Sequence, residues 1–156
     1  MKRLRRAALA ACLLAGASSS GAACELVLRE HRSGVELGRL PLDVDAPEVR
    51  IAFEHSVLGT TVIDRYRFAP QAHLIEERFN GEGYGLPHGA GPGETLQRDG
   101  HGWRLRLDRL VSPLVVRPLP LQHMRLLLGE REWLLCAFST QAIEFQAQGC
   151  APRTGS

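Results

Sequence analysis

The chain has 156 residues, 23% charged and 44% hydrophobic, with 19 basic against 17 acidic side chains. That length suits one domain with a real core and not two. The small positive sum comes from the first residues: Lys2, Arg3, Arg5 and Arg6 precede an apolar run from Ala7 to Ala17. Without those four the balance is 15 against 17, which removes the electrostatic argument for nucleic acid or an anionic membrane as partner.

Taken in order, the first element is that leader. A basic start, eleven apolar residues and small residues from Ser18 to Ala23 form the layout of a secretory signal peptide over 1–23, and the apolar run is too short to anchor in a bilayer. The expected mature protein is periplasmic or secreted and begins near Cys24, with a domain over 24–150 and a short tail over 151–156. Gly21 and Ala23 suit signal peptidase. Cys24 also stands where a lipoprotein carries its lipid, but Gly21 occupies the position where a lipobox usually has Leu, so membrane attachment is expected only if Cys24 is lipidated. An oxidising compartment calls for a disulfide among Cys24, Cys136 and Cys150. Cys136 with Cys150 is the natural pair if Cys24 is lipidated; otherwise Cys24 can staple the first strand to a late one.

Prolines recur about every ten to twenty residues after Pro41, and the runs between them alternate apolar with polar, which is strand spacing. Strands are predicted over 25–31, 35–42, 48–57, 61–68, 72–79, 103–110, 114–117, 119–128, 132–138 and 142–147. Gly129-Glu130 reads as a hairpin turn, and Trp103, Trp133 and Phe145 as core. Nine or ten short strands in one domain predict an all-β fold, a single antiparallel β-sandwich or partly closed β-barrel.

One hairpin can be read residue by residue. With a turn at Leu58-Gly59-Thr60-Thr61, Val57 pairs with Val62, His55 with Asp64, Phe53 with Tyr66 and Ile51 with Phe68, all on one face. The other face sets Glu54 opposite Arg65, Ala52 opposite Arg67 and Ser56 opposite Ile63. In that register His55 and Asp64 share a hydrogen bond at the end of an apolar face. His55 and Ser56 point to opposite faces and cannot act as base and nucleophile together. No Gly-x-Ser-x-Gly elbow presents Ser33, Ser112 or Ser139.

Eight of the sixteen glycines lie between Gly81 and Gly102. The Gly81-x-Gly83-x-Gly85 run has neither the helix nor the Gly-Lys-Ser that a phosphate cradle needs, so a surface loop over the sheet is expected, with a role in ligand or partner contact. His88 and His101 with Glu82 are weak metal candidates, no zinc spacing occurs, and no metal or cofactor is expected.

Phe53-Glu54-His55-Ser56-Val57, an acidic residue at Asp64, and Phe79 followed by Gly83-Tyr84-Gly85-Leu86-Pro87 together resemble the bacterial domain of unknown function family 1850. That family pairs a His-Ser-Val strand motif with a Gly-Ala-Gly-Leu-Pro-like loop; Tyr84 stands where Ala is more usual. The resemblance spans Leu26 to Ala147, and its specific part is Phe53 to Pro87. It implies an exported domain, commonly encoded beside membrane subunits of TAXI-type tripartite (TRAP) transporters, with no activity attached. The expected partners are those membrane subunits or the transporter's substrate-binding protein. Contact residues carried over or placed beside the motif are His55, Ser56, Asp64, Tyr66, Gly83, Tyr84, Gly85 and Pro87. The competing expectation is a small periplasmic hydrolase or lyase with His55 as general base, oriented by Asp64.

Overall fold

A computed structural model describes residues 23–81 and 86–150. The expected leader up to residue 22, the expected tail over 151–156, and Glu82, Gly83, Tyr84 and Gly85 therefore lie outside the described residues. Among the described residues eleven strands run in chain order: β1 Glu25–Glu30, β2 Glu36–Pro41, β3 Glu48–Glu54, β4 Thr61–Phe68, β5 Ala72–Asn80, β6 Thr95–Asp99, β7 Gly102–Leu110, β8 Leu114–Val116, β9 Arg125–Leu128, β10 Arg131–Leu134 and β11 Ile143–Gln148. Short 3-10 turns occupy Pro120–Gln122 and Leu135–Ala137. The strands form two antiparallel sheets, β2-β1-β11-β8 and β10-β9-β3-β4-β5-β7-β6, and neither closes into a barrel. The fold is a β-sandwich.

Its core follows from alternation. Leu26 and Leu28 of β1, with Ile143 and Phe145 of β11, meet Val49 and Ile51 of β3, Val62, Tyr66 and Phe68 of β4, and Leu105 and Leu107 of β7, all buried. Period two places these on inward faces while their neighbours turn to solvent. Trp103 and Trp133 are partly buried against that cluster. The predicted turn at Gly129-Glu130 forms as a two-residue loop with Leu128 opposite Arg131 and Gly129 at φ +57°.

Three boundaries depart from expectation. β6 arises within the glycine-rich stretch, as an edge strand beside β7 with Leu96 opposite Leu105. The predicted strand 119–128 is instead a 3-10 turn followed by β9, because Pro120 starts the turn and His123 takes a left-handed conformation at its end. Likewise 132–138 ends as a strand at Leu134 and turns into Leu135–Ala137.

The disulfide joins Cys24 to Cys150 and leaves Cys136 free. The pair continues the β1/β11 ladder, in which Glu25 opposes Gln148, so the staple ties the first strand to the last. With its sulfur bonded to Cys150, Cys24 has no thiol left for a lipid thioether in this structure. A disulfide across the chain ends is compatible with an oxidising, extracytoplasmic location, and no helix among the described residues is long and apolar enough to cross a membrane.

Candidate functional site

The β3/β4 hairpin that carries the motif has a different register from the predicted one. Phe53 opposes Val62, Ile51 opposes Asp64 and Val49 opposes Tyr66. The outward face pairs Ala52 with Ile63, Arg50 with Arg65 and Glu48 with Arg67, and Glu54 meets Thr61 instead of Arg65. The predicted His55–Asp64 pair is therefore not made. His55 lies four residues beyond Ile51, about 13 Å along the strand direction.

The cause is the turn. β3 stops at Glu54, the His55 amide donates to the Thr60 carbonyl at 2.8 Å, and the Gly59 amide donates to the His55 carbonyl at 2.9 Å. Gly59 closes the loop at φ +62°, a left-handed conformation that glycine adopts without strain. Inside this loop the His55 side chain caps the turn, because Nδ1 accepts from the amides of Val57 and Leu58, each at 3.3 Å. The ring therefore holds its hydrogen on Nε2 when neutral. Ser56 and Val57 are exposed, Val57 at 67%. His55→Ala is expected to cost about 1 kcal/mol, as loss of a helix-type cap does, with His55→Asn retaining most of it and Ser56→Ala silent. Chemical denaturation of the three variants checks this.

Asp64 belongs to a second cluster. Alternation turns it inward between Val62 and Tyr66, and the Tyr66 hydroxyl donates to its Oδ2 at 3.2 Å. Oδ1 is buried with no hydrogen-bond partner. Directly across on β5 stands Glu77. Glu77 faces inward because a register shift lets Arg65 oppose Glu76 and Tyr66 oppose Leu74, leaving Ile75 as an extra residue. Burial pushes the Asp64 carboxyl up to about 7; the Glu77 charge adds to this and the tyrosine hydrogen bond opposes it. Burial also raises Glu77, with Glu94 adding to the rise and Arg109 opposing it. The same environment raises the Tyr66 phenol, chiefly by burial.

Arg109 and Glu94 close the cluster. Arg109 Nη2 donates to Glu94 Oε1 at 3.0 Å, and the Gly91 amide donates to Glu94 Oε2 at 2.9 Å. These bonds hold the end of the glycine-rich segment, and its other described part is held by Leu86, which is buried in the core. Pro87 follows at half-burial, and His88 and His101 are exposed.

The structure thus brings Asp64 and Tyr66 together, as two of the expected contact residues, but separates both from His55. Glu77, Glu94 and Arg109 were not expected; the bulge that turns Glu77 inward leaves no mark in the alternation of 72–80. Among the described residues no carboxylate bonds the His55 ring, which serves as a turn cap, and the register leaves Asp64 opposite Ile51 instead of beside His55. Asp64 can keep a proton up to about pH 7, and the Glu77 charge across the strand favours that protonated form.

A family model described as "Domain of unknown function (DUF1850)" matches residues 49–135. That span contains both the His55 turn and the Asp64, Tyr66 and Glu77 cluster. No curated protein and no solved structure matches the chain. With more than half its length matched, the chain belongs to the domain of unknown function family 1850.

Proposed function

We propose that this is an exported, extracytoplasmic domain that works by contact and not by turnover, as an accessory protein of a TAXI-type TRAP transport system. Its partners in this reading are the transporter's membrane subunits or its substrate-binding protein. The observation that carries it is the use of the His-Ser-Val motif: His55 fixes a turn from within and projects Ser56 and Val57 outward. A preorganised, exposed turn loses little entropy on docking.

The surroundings of the turn support the same use. His123 Nδ1 lies 3.1 Å from Glu54 Oε2, tying the 3-10 turn at Pro120–Gln122 to the end of β3. Leu121 on that turn is 90% exposed, and Leu119 beside it is exposed too. Leu134, also exposed, opposes Arg125, which in turn opposes Ala52 near the same end of β3. Val57, Leu119, Leu121 and Leu134, four of the six large exposed hydrophobic side chains among the described residues, follow or flank this end of β3, which suits a protein contact. The leader expected over 1–23 supports export, and the genomic company that the family resemblance implies supports the transporter as partner.

Co-purification from the native host tests this. With a tag after Ser156, the wild type is expected to bring down transporter subunits, and Val57→Asp to lose them while melting at the wild-type midpoint. Equal recovery with both proteins, or recovery with neither, would contradict the proposal.

A further inference from the structure

The face of the seven-stranded sheet that points away from the small sheet carries a second feature, unrelated to the motif turn. Registers across the strands align Leu127, Arg50, Arg65, Glu76 and Arg106 in one row, and Arg125, Ala52, Ile63, Arg78 and Arg104 in the next. Two like-charged pairs stand directly opposite one another, Arg50 with Arg65 and Arg78 with Arg104. Such placements destabilise a sheet unless something between them supplies negative charge.

For three of these guanidiniums the protein supplies it. Arg65 Nε donates to Glu48 Oε2 at 2.7 Å. Arg78 Nε donates to Glu76 Oε1 at 2.7 Å, and Arg104 Nη2 to Asp99 Oδ2 at 2.6 Å. Glu76 is only 8% exposed, so its charge is fixed beneath the arginines. Arg50 differs. Its Nη2 donates to the Gly129 carbonyl at 2.9 Å, and it forms no ion pair among the described residues.

A groove of about 330 Å³ opens here, lined by Arg50, Arg65, Arg78 and Glu76 with half-buried Ile63 and Leu127 between them. That size falls at the lower end of small-ligand sites, on the order of 300–1,000 Å³. Its lining also includes Glu48, so three cations meet two anions and the excess positive charge resides at Arg50.

We infer that this groove binds a small organic oxyanion, with its carboxylate or phosphate head between Arg50 and Arg65 and an apolar body against Ile63 and Leu127. The head completes the charge balance of the opposed pair. Guanidinium forks match carboxylate and phosphate oxygens in the plane, two bonds at a time. The apolar body covers aliphatic surface that the sheet leaves to solvent. The site lies on the opposite face of the sheet from Asp64 and Tyr66, so it neither requires nor excludes the transporter reading.

Nuclear magnetic resonance titration of the disulfide-bonded protein tests it, with chloride exchanged to hold ionic strength constant so that general screening does not mimic binding. The probes are hexanoate, inorganic phosphate and, as a cationic control, hexylammonium. Saturable shifts at the Arg50 and Arg65 Nε–H groups and the Leu127 amide are expected with hexanoate, with a Kd at or below about 1 mM. Arg50→Gln is expected to weaken binding at least about tenfold without lowering the melting midpoint, since it relieves a like-charge pair. Arg106→Gln, which removes a charge from the same face outside the groove lining, should leave binding unchanged.

Linear, unsaturated shifts with both anions would overturn the inference. So would equal weakening by Arg106→Gln, which would mark a diffuse field instead of a site. Saturable binding of phosphate without hexanoate would overturn the apolar half of it.

Discussion

Replacing Cys24 and Cys150 by alanine, or reducing the bond between them, is expected to lower the folding stability of the domain by about 2 to 5 kcal/mol. The bond closes a separation of 126 residues, so it removes chain entropy from nearly the whole unfolded ensemble. The native side of the balance changes little, because β1 and β11 remain paired from Glu25 with Gln148 to Glu30 with Ile143. Urea unfolding with and without reductant measures the difference. The wild type should lose stability on reduction, the double variant should be insensitive to reductant, and Cys136→Ala should behave as wild type. Loss of reductant sensitivity in Cys136→Ala would mean that another pair carries the staple.

The second large effect is a pH dependence of unusual sign. The folded Asp64 carboxyl keeps its proton up to about pH 7, whereas in the unfolded chain it releases it near the ordinary aspartate value of about 3.9. Between those limits the folded state binds more protons, so stability falls as pH rises. The contribution is fully present below about pH 4 and lost as the pH climbs through about 7, a change of roughly 4 kcal/mol at most. Glu77 acts in the same direction, being raised by the same burial. Asp64→Asn is expected to abolish most of this slope and to be more stable than the wild type above pH 7, with the Tyr66 hydroxyl still able to donate to the amide oxygen. Denaturation at a series of pH values checks the sign. Stability that rises from pH 4 to 7 in the wild type and not in the variant would reverse the assignment of Asp64 as a protonated group.

The inward and outward faces of the motif hairpin were legible in the sequence, and its pairing was not. Ile51, Phe53, Val62, Tyr66 and Phe68 do share the inward face. β4 has the predicted bounds, Thr61–Phe68. The true register differs from the predicted one by an even step, which preserves the face of each residue while changing every partner. What fixed the step was the loop: the His55 cap and the left-handed Gly59 begin the turn two residues earlier than alternation suggested. Glu77 was hidden for a related reason, since a bulge at Ile75 changes which residues of β5 point inward. β6 was hidden because an edge strand with one partly buried leucine, Leu96, gives faint alternation. The disulfide could not be chosen because it depends on β1 and β11 being neighbours, which is topology and not spacing.

The central claim is that His55 and Asp64 serve two separate devices, a contact turn and a buried proton-binding cluster. Carbon-detected titration of the Asp64 carboxyl in the wild type, His55→Ala and Glu77→Gln tests it directly. The account predicts a midpoint near 7 in the wild type, the same in His55→Ala, and a lower one in Glu77→Gln. An Asp64 that titrates in the ordinary carboxylate range, or whose midpoint moves with His55 and not with Glu77, would contradict it.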